Sequence, residues 1–299
     1  MQKLLIKGNK KLSGSISISG SKNATLPILA ASILSKNATL KNVPLVKDVY
    51  TMIELLNFIG LNIKIKKSKN YLHINNNNIS LNPTAPYKLV KTMRAGVLVL
   101  GPLLAKYKKA KVSLPGGCAI GTRPVDLHLF ALKKLGAKIK IKNGYIYATA
   151  KHGLKGNKII FPSISVGATE NAIIAAAQAQ GKSMLLNCAI EPEVQDLIIF
   201  LKKLGCKINI KGRKIEVGGF FNPKKTDHTV MFDRIEAGTY LIASALAGKK
   251  ISLLKLDPKI INIEIKILKK MGVKVKIYKN KIEIYESNKI NKIKLATSP

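Results

Sequence analysis

The chain is 299 residues long, beyond what one hydrophobic core usually serves, so two domains are expected. With 46% hydrophobic and only 5% aromatic residues, it reads as a globular protein packed with aliphatic side chains. A net charge of +37 invites a nucleic-acid reading, but the lysines are spread over every segment with no basic stripe, so no nucleic-acid partner is expected.

Lys, Asn and Ile are all heavily used, as in Asn75–Asn78, which is the pattern of drift in an A+T-rich gene. Of the 52 basic residues only four are Arg: Arg94, Arg123, Arg213 and Arg234. Where Lys has replaced Arg almost everywhere, a surviving Arg marks a place that needs a planar bidentate fork.

In chain order, Ser21 is a good N-cap for an apolar, small-residue helix over Ala24–Leu34, followed by a strand at Ala38–Lys41. Met52–Ile74 then reads as an amphipathic helix, a glycine stop and two alternating strands around a polar turn. The scheme recurs. Small-residue helices are expected at Met93–Ala105, Ala168–Ala179 and Glu236–Ala247, with strands at Lys111–Leu114, Ser183–Leu186 and Lys250–Leu253. Helix–strand–strand segments recur at Leu129–Ala148, Leu197–Val217 and Ile263–Ile284. Their capping glycines, Gly60, Gly136, Gly205 and Gly272, lie 76, 69 and 67 residues apart. The repeating unit is βαβαββ in an α/β fold. Its small-residue helix should be nearly fully buried, and its Lys-rich helix should face solvent.

No uncharged apolar run approaches the ~18 residues a membrane span needs, and the longest, Ala95–Ala105, is closed by Arg94 and Lys106. The first residues contain no apolar core of signal-peptide length, so a cytoplasmic protein without membrane contact is expected. Cys118, Cys188 and Cys206 have no metal-type spacing, and an odd number argues against a disulfide framework. Cys188 and Cys206 adjoin strands and read as small buried hydrophobes.

Pro115–His128 (PGGCAIGTRPVDLH) carries the chemistry. It places Cys118 in a glycine-hinged loop between a strand and a helix over about Pro124–Leu135. Arg123 precedes Pro124 at the first helical position. Free N–H groups of a helix's first turn together with a guanidinium favour an anion, and the same field favours a thiolate at Cys118.

This loop resembles the catalytic loop of the UDP-N-acetylglucosamine enolpyruvyl transferases. Gly20–Ala24, Lys91–Ala95, Ser165–Thr169 and Asp233–Thr239 resemble further motifs of that family, in its order, so the resemblance spans the chain. It implies an inside-out α/β barrel of six units, three per domain, of which four and the start of a fifth (Asn291–Pro299) are present. On that basis residues 22–221 form a complete UDP-sugar-binding domain, while 1–21 and 222–299 form part of a second, incomplete one.

The resemblance implies transfer of the enolpyruvyl group of phosphoenolpyruvate to the 3′-hydroxyl of UDP-N-acetylglucosamine, with release of phosphate, at the start of peptidoglycan synthesis. Cys118 is then the general acid toward the methylene carbon, able to form a covalent adduct and to be alkylated by fosfomycin. Lys22 and Arg123 hold the phosphate, and Asn23 the sugar. Arg94 serves the substrate region, although a structural carboxylate is an alternative partner, since it heads a helix that reads as buried. Pro124, Val125, Asp126 and Leu127 line the uridine pocket. Ser163, Ile164, Ser165, Val166 and Gly167 supply backbone and hydroxyl contacts. No metal or organic cofactor is implied.

Other polar residues stay open. His128 either borders the nucleotide or is structural. Glu191 and Glu193 resemble an acidic pair near the family's site but read better as a helix-start cap. Asp233, Arg234 and Glu236 read as a local ion-pair network. The family continues past Ala296-Thr297-Ser298-Pro299 with a segment carrying its catalytic aspartate, so the chain is expected to be truncated and inactive alone, or to pair with a separately encoded C-terminal half. The alternatives are the shikimate-pathway enolpyruvyl transferase, whose motifs lack the Cys118 loop, and a non-catalytic UDP-sugar-binding remnant.

Overall fold

The computed structural model describes residues 3, 5, 7, 8, 10–76, 82–91, 93–116, 125–287 and 289–296. The first repeat supplies β1 (Leu12–Ser17), α1 (Lys22–Ala31), β2 (Asn37–Lys41), α2 (Lys47–Ile59), β3 (Asn62–Lys66) and β4 (Tyr71–Asn75). The second begins with β5 (Thr84–Ala85), a short α3 (Tyr87–Val90) and a 3-10 segment, Arg94–Val99, that runs into α4 (Leu100–Tyr107). It ends with β6 (Lys109–Ser113), α5 (Asp126–Lys134), β7 (Lys138–Lys142) and β8 (Tyr145–Thr149). The third comprises β9 (Lys158–Ile160), α6 (Val166–Ala176), β10 (Ser183–Leu186), α7 (Pro192–Leu204), β11 (Ile208–Lys211) and β12 (Lys214–Val217). The fourth comprises β13 (Thr226–Thr229), α8 (Arg234–Ala247), β14 (Gly248–Leu254), α9 (Asn262–Lys270), β15 (Lys274–Ile277) and β16 (Lys281–Tyr285).

The fold is mixed α/β, and each repeat closes the same four-stranded sheet. The orders are β13-β2-β4-β3, β5-β6-β8-β7, β9-β10-β12-β11 and β1-β14-β16-β15. Within each, the first pair is parallel and the other two pairs are antiparallel. Alternation makes these strands: in β7, Lys138, Lys140 and Lys142 share one face and Ile139 and Ile141 the other. Gly60, Gly136, Gly205 and Gly272 end their helices at φ of 120°, 92°, 113° and 92°, a backbone region open to glycine and strained for other residues.

The chain divides into two compact units, Ser21–Met231 and a smaller one made of Met1–Gly20 with Phe232–Pro299. Within these units, strands pair across repeats. β1 leaves its own repeat to pair with β14 (Ile16 opposite Leu253), and β13 pairs with β2 (His228 opposite Leu40). The larger unit runs to Met231, and its β13 completes the sheet of the first repeat.

In the larger unit, α1 is buried on all sides from Ala24 to Ala31 and α6 from Ala168 to Ala176, so helices sit inside and sheets outside. Their Ala, Ile and Leu side chains join one core with α2, α5 and α7, whose Lys-bearing faces stay outside. Each fully buried large aliphatic contributes roughly 1.5–3 kcal/mol. The smaller unit has its own core, including Ile18, Phe232, Leu241, Leu253, Ile265 and Ile284.

Two expectations are corrected. Met93–Ala105 is not one α-helix: it opens as a 3-10 segment, and the α-helix starts at Leu100, which puts Pro102 in a first turn where its missing N–H costs nothing. The small-residue helix α8 is not nearly fully buried. It packs one face, Ala237, Leu241 and Ala245, while Ile235, Ile242 and Leu246 are 54%, 52% and 75% exposed. Asp233 and Glu236 serve backbone donors. Asp233 Oδ1 caps α8 by accepting from the N–H groups of Ile235 and Glu236 (2.9 and 3.0 Å), and Glu236 Oε2 accepts from the Ser19 N–H at 3.0 Å.

Candidate active site

Two serines start the helices that carry site residues. Buried Ser21 accepts from the Ala24 N–H at 3.2 Å and fixes the first turn of α1, leaving Lys22 half-buried and Asn23 exposed. Lys22 Nζ donates to Asp48 Oδ2 at 2.9 Å, on the facing start of α2. Ser165 does the same for α6, accepting from the Ala168 N–H at 3.4 Å. Ser163 and Val166 are exposed there, and Ile164, Ser165 and Gly167 half-buried. On α5, Val125 is buried, Asp126 lies exposed in the first turn, where the helix dipole favours an acid, and Leu127 is half-buried. Cys118, Arg123 and Pro124 lie outside the described residues.

Arg94 opens the 3-10 segment and is exposed, not buried as its sequence setting suggested. Its positive charge still reaches inward to His128 on α5.

His128 is 5% exposed, and a buried amide holds it. Asn171, fully buried on α6, bridges three segments. Its Oδ1 accepts from the Gly101 N–H at 2.8 Å, and its Nδ2 donates to the Val97 carbonyl at 3.1 Å. A backbone N–H can only donate and a carbonyl can only accept, so these two bonds fix which end of the amide is nitrogen. Nδ2 also lies 3.1 Å from His128 Nδ1, which must then be the acceptor. His128 is neutral, with its proton on Nε2. Burial, and secondarily the Arg94 charge, push its pKa down to about 4. The ring rests against the start of α6: a Cβ at Gly167 would lie 3.2 Å from Cε1 and 3.3 Å from Nε2. His128 thus gathers the starts of α5 and α6 and feels the head of the Arg94 segment.

Glu170, one residue before Asn171, is buried, and its carboxyl is held well above the usual range by desolvation, then by the charges of Glu193 and Glu191. Glu191 stands at the N-cap position of α7 ahead of Pro192, but its side chain makes no capping bond, while Glu193 is buried in the first turn. Sequence reasoning missed Glu170 and Asn171. Their signal was a polar run, Thr169-Glu170-Asn171, in a helix otherwise built of Val, Gly, Ala and Ile. Consecutive helical positions point about 100° apart, so three buried polar neighbours require partners on several sides.

The other two cysteines are buried, and burial pushes both thiols up to about 12. A cleft of about 750 Å³ lies at the far end of the third repeat, lined by Lys158, Lys182, Ser183, Lys207, Glu216 and Phe220 among others, and holds none of the candidate residues.

Solved structures share this architecture. The enolpyruvyl transferase NikO from Streptomyces tendae superposes with a TM-score of 0.82 over 94% of this chain and 67% of its own, at 19% identity. EPSP synthase from Acinetobacter baumannii gives 0.77 over 97% and 68%, at 18% identity. The fold is therefore that of an enolpyruvyl transferase. Residues 6–299 match the family model of EPSP synthase (3-phosphoshikimate 1-carboxyvinyltransferase). All of the chain aligns with UDP-N-acetylglucosamine 1-carboxyvinyltransferases, at 56% identity with that of Pelagibacter ubique and 48% with that of Rickettsia bellii, over 72% of each relative's length. The chain belongs to the enolpyruvyl transferase family, in its UDP-N-acetylglucosamine 1-carboxyvinyltransferase branch. Among the described residues, no helix is long and apolar enough to cross a membrane.

Proposed function

We propose that the unit Ser21–Met231 binds UDP-N-acetylglucosamine and phosphoenolpyruvate for transfer of the enolpyruvyl group to the sugar's 3′-hydroxyl, with release of phosphate. The observation that carries this reading is the 56% identity, over the whole chain, with a UDP-N-acetylglucosamine 1-carboxyvinyltransferase. The biological setting that follows is the cytoplasmic start of peptidoglycan synthesis, and through it cell shape and division.

Chemically, protonation of the phosphoenolpyruvate methylene carbon by the thiol form of Cys118 makes the neighbouring carbon electrophilic, and the sugar hydroxyl adds there as its proton passes to a base. Loss of a methyl proton and of the C–O bond to phosphate restores the enol ether and frees inorganic phosphate. Lys22 and Arg123 stabilise the charge that builds on the phosphate. The Lys22–Asp48 pair, at 42% and 35% side-chain exposure, is weak enough for a phosphate to displace. Asn23 and Arg94 serve the sugar and substrate region. Pro124–Leu127 and Ser163–Gly167 hold the uridine diphosphate, with the free N–H groups of the first turn of α6 suited to an anion.

Calorimetric titration with UDP-N-acetylglucosamine, followed by phosphoenolpyruvate, tests this. Saturable binding is expected, with Arg94→Ala and Asp126→Ala weakening it by about tenfold or more, the loss typical of a charge-assisted hydrogen bond. A chain that ignored the UDP-sugar and bound 3-phosphoshikimate would function instead as the shikimate-pathway enzyme.

A further inference from the structure

We propose that the cleft on the outer face of the third repeat binds an organic phosphate that carries a planar ring, the make-up of a nucleotide. This site holds none of the residues assigned to the transfer reaction.

Its floor follows from strand alternation. Ile159, Leu185 and Ile215 are buried in the core, so their neighbours Lys158, Met184 and Glu216 lie on the outer face. Register sets these three side by side across β9, β10 and β12, with Met184 opposite both Lys158 and Glu216. The cleft there has a volume of about 750 Å³, within the roughly 300–1,000 Å³ of small-molecule sites.

One wall is an exposed aromatic ring on a fixed backbone. After β12 the chain passes through Gly219, with φ of 79°, where a Cβ would lie 2.2 Å from the Gly181 carbonyl oxygen. Only glycine allows that approach. The next residue, Phe220, donates its N–H to the Ala179 carbonyl at 2.9 Å, yet it is 74% exposed and borders the cleft. A ring so placed offers a planar ligand a stacking surface, and little freedom is lost when the two meet.

The charge of the lining points to an anion. Lys158, Lys182 and Lys207 border the cleft, and none of them forms an ion pair among the described residues. Glu216 lines it too, but its carboxylate is taken by Lys214 at 2.6 Å. Compact ammonium groups in surplus suit the spread charge of a phosphate. Ser183, also in the lining, is 2% exposed, and its hydroxyl has no hydrogen-bond partner among the described residues. A buried hydroxyl left unpaired is costly, so such groups are rare unless a ligand or ordered water completes them. The ring of Phe220 and the three lysines together select a ring-bearing phosphate over a bare anion or an apolar molecule.

The test uses the whole chain with adenosine 5′-monophosphate as probe, and adenosine and inorganic phosphate as its two halves. In methionine-methyl NMR the Met184 signal should shift saturably with the monophosphate, and only weakly with either half. Saturating UDP-N-acetylglucosamine should leave that shift unchanged. Phe220→Ala, a change at an exposed side chain, should weaken binding about tenfold, and Lys182→Gln should weaken it severalfold. An unmoved Met184 signal would overturn the site, as would a folded Phe220→Ala that binds like wild type. Loss of the shift on adding the UDP-sugar would put the probe in the transfer site and overturn the cleft assignment. Phosphate binding as tightly as the monophosphate would overturn the ring-bearing ligand.

Discussion

Two titrating groups on adjacent strata of the same unit pull stability in opposite directions. His128, with its pKa near 4 when folded and near 6.5 when unfolded, contributes stability that is present above pH 6.5 and lost as pH falls toward 4, by about 1.4 kcal/mol per pH unit. Glu170 is the reverse: its folded pKa is raised, so its contribution is fully present below the ordinary carboxylate range and is lost as pH rises through the folded value. Glu170→Gln should therefore raise Tm at pH 8 and give a smaller gain, or none, at pH 4. Equal gains at both would show that Glu170 is not held protonated. At the thiols, the proposed role of Cys118 predicts that fosfomycin alkylates it before Cys188 or Cys206 at pH 8, because those two are buried with pKa values near 12. Peptide mass mapping that found all three labelled alike would refute the assignment.

Between elements, the closest approach that matters to the site is α4 against α6. A Cβ at Gly101 would sit 2.2 Å from Asn171 Oδ1 and 2.7 Å from the Asn171 carbonyl oxygen, so only glycine lets these helices meet. Gly101→Ala should force them apart, cost about 1–3 kcal/mol as overpacking does, and turn the Asn171 amide away from His128. Denaturant midpoints measure the first effect and UDP-sugar affinity the second. A variant as stable and as tight-binding as wild type would show that the Asn171 bridge does not organise the site. The contrast between α6 and α8 has the same origin. Both are small-residue helices, but α6 packs chiefly against four helices, α1, α4, α5 and α7, whereas α8 packs chiefly against β14, β16 and α9.

At the scale of the molecule, two separate cores predict two unfolding events. The larger unit buries three complete repeats, while the smaller rests on one sheet, α8 and α9, with β1 borrowed from the chain's start. Small cores are marginal because less of their surface is buried. Hydrogen exchange should give strong protection in α1 and α6 and weaker protection in α8, with the smaller unit opening first in denaturant. Exposed Ile235, Ile242 and Leu246 should make that opened state prone to self-association. Uniform protection from Lys22 to Ile284 would rule this out.

Periodicity alone determined the βαβαββ repeat, its four capping glycines and its buried helices α1 and α6, because those signals are local: spacing, alternation and a left-handed stop. The cap at Ser21 was legible for the same reason, as a residue type at a fixed short spacing. Only the tertiary structure decided that β13 joins the sheet of the first repeat, since a parallel strand's partner depends on backbone hydrogen bonds made far along the chain. It alone joined Gly101, His128 and Asn171, whose partnership no spacing encodes. It also exposed Arg94 and one face of α8, because burial is set by which elements pack around a helix, not by the apolar residues within it.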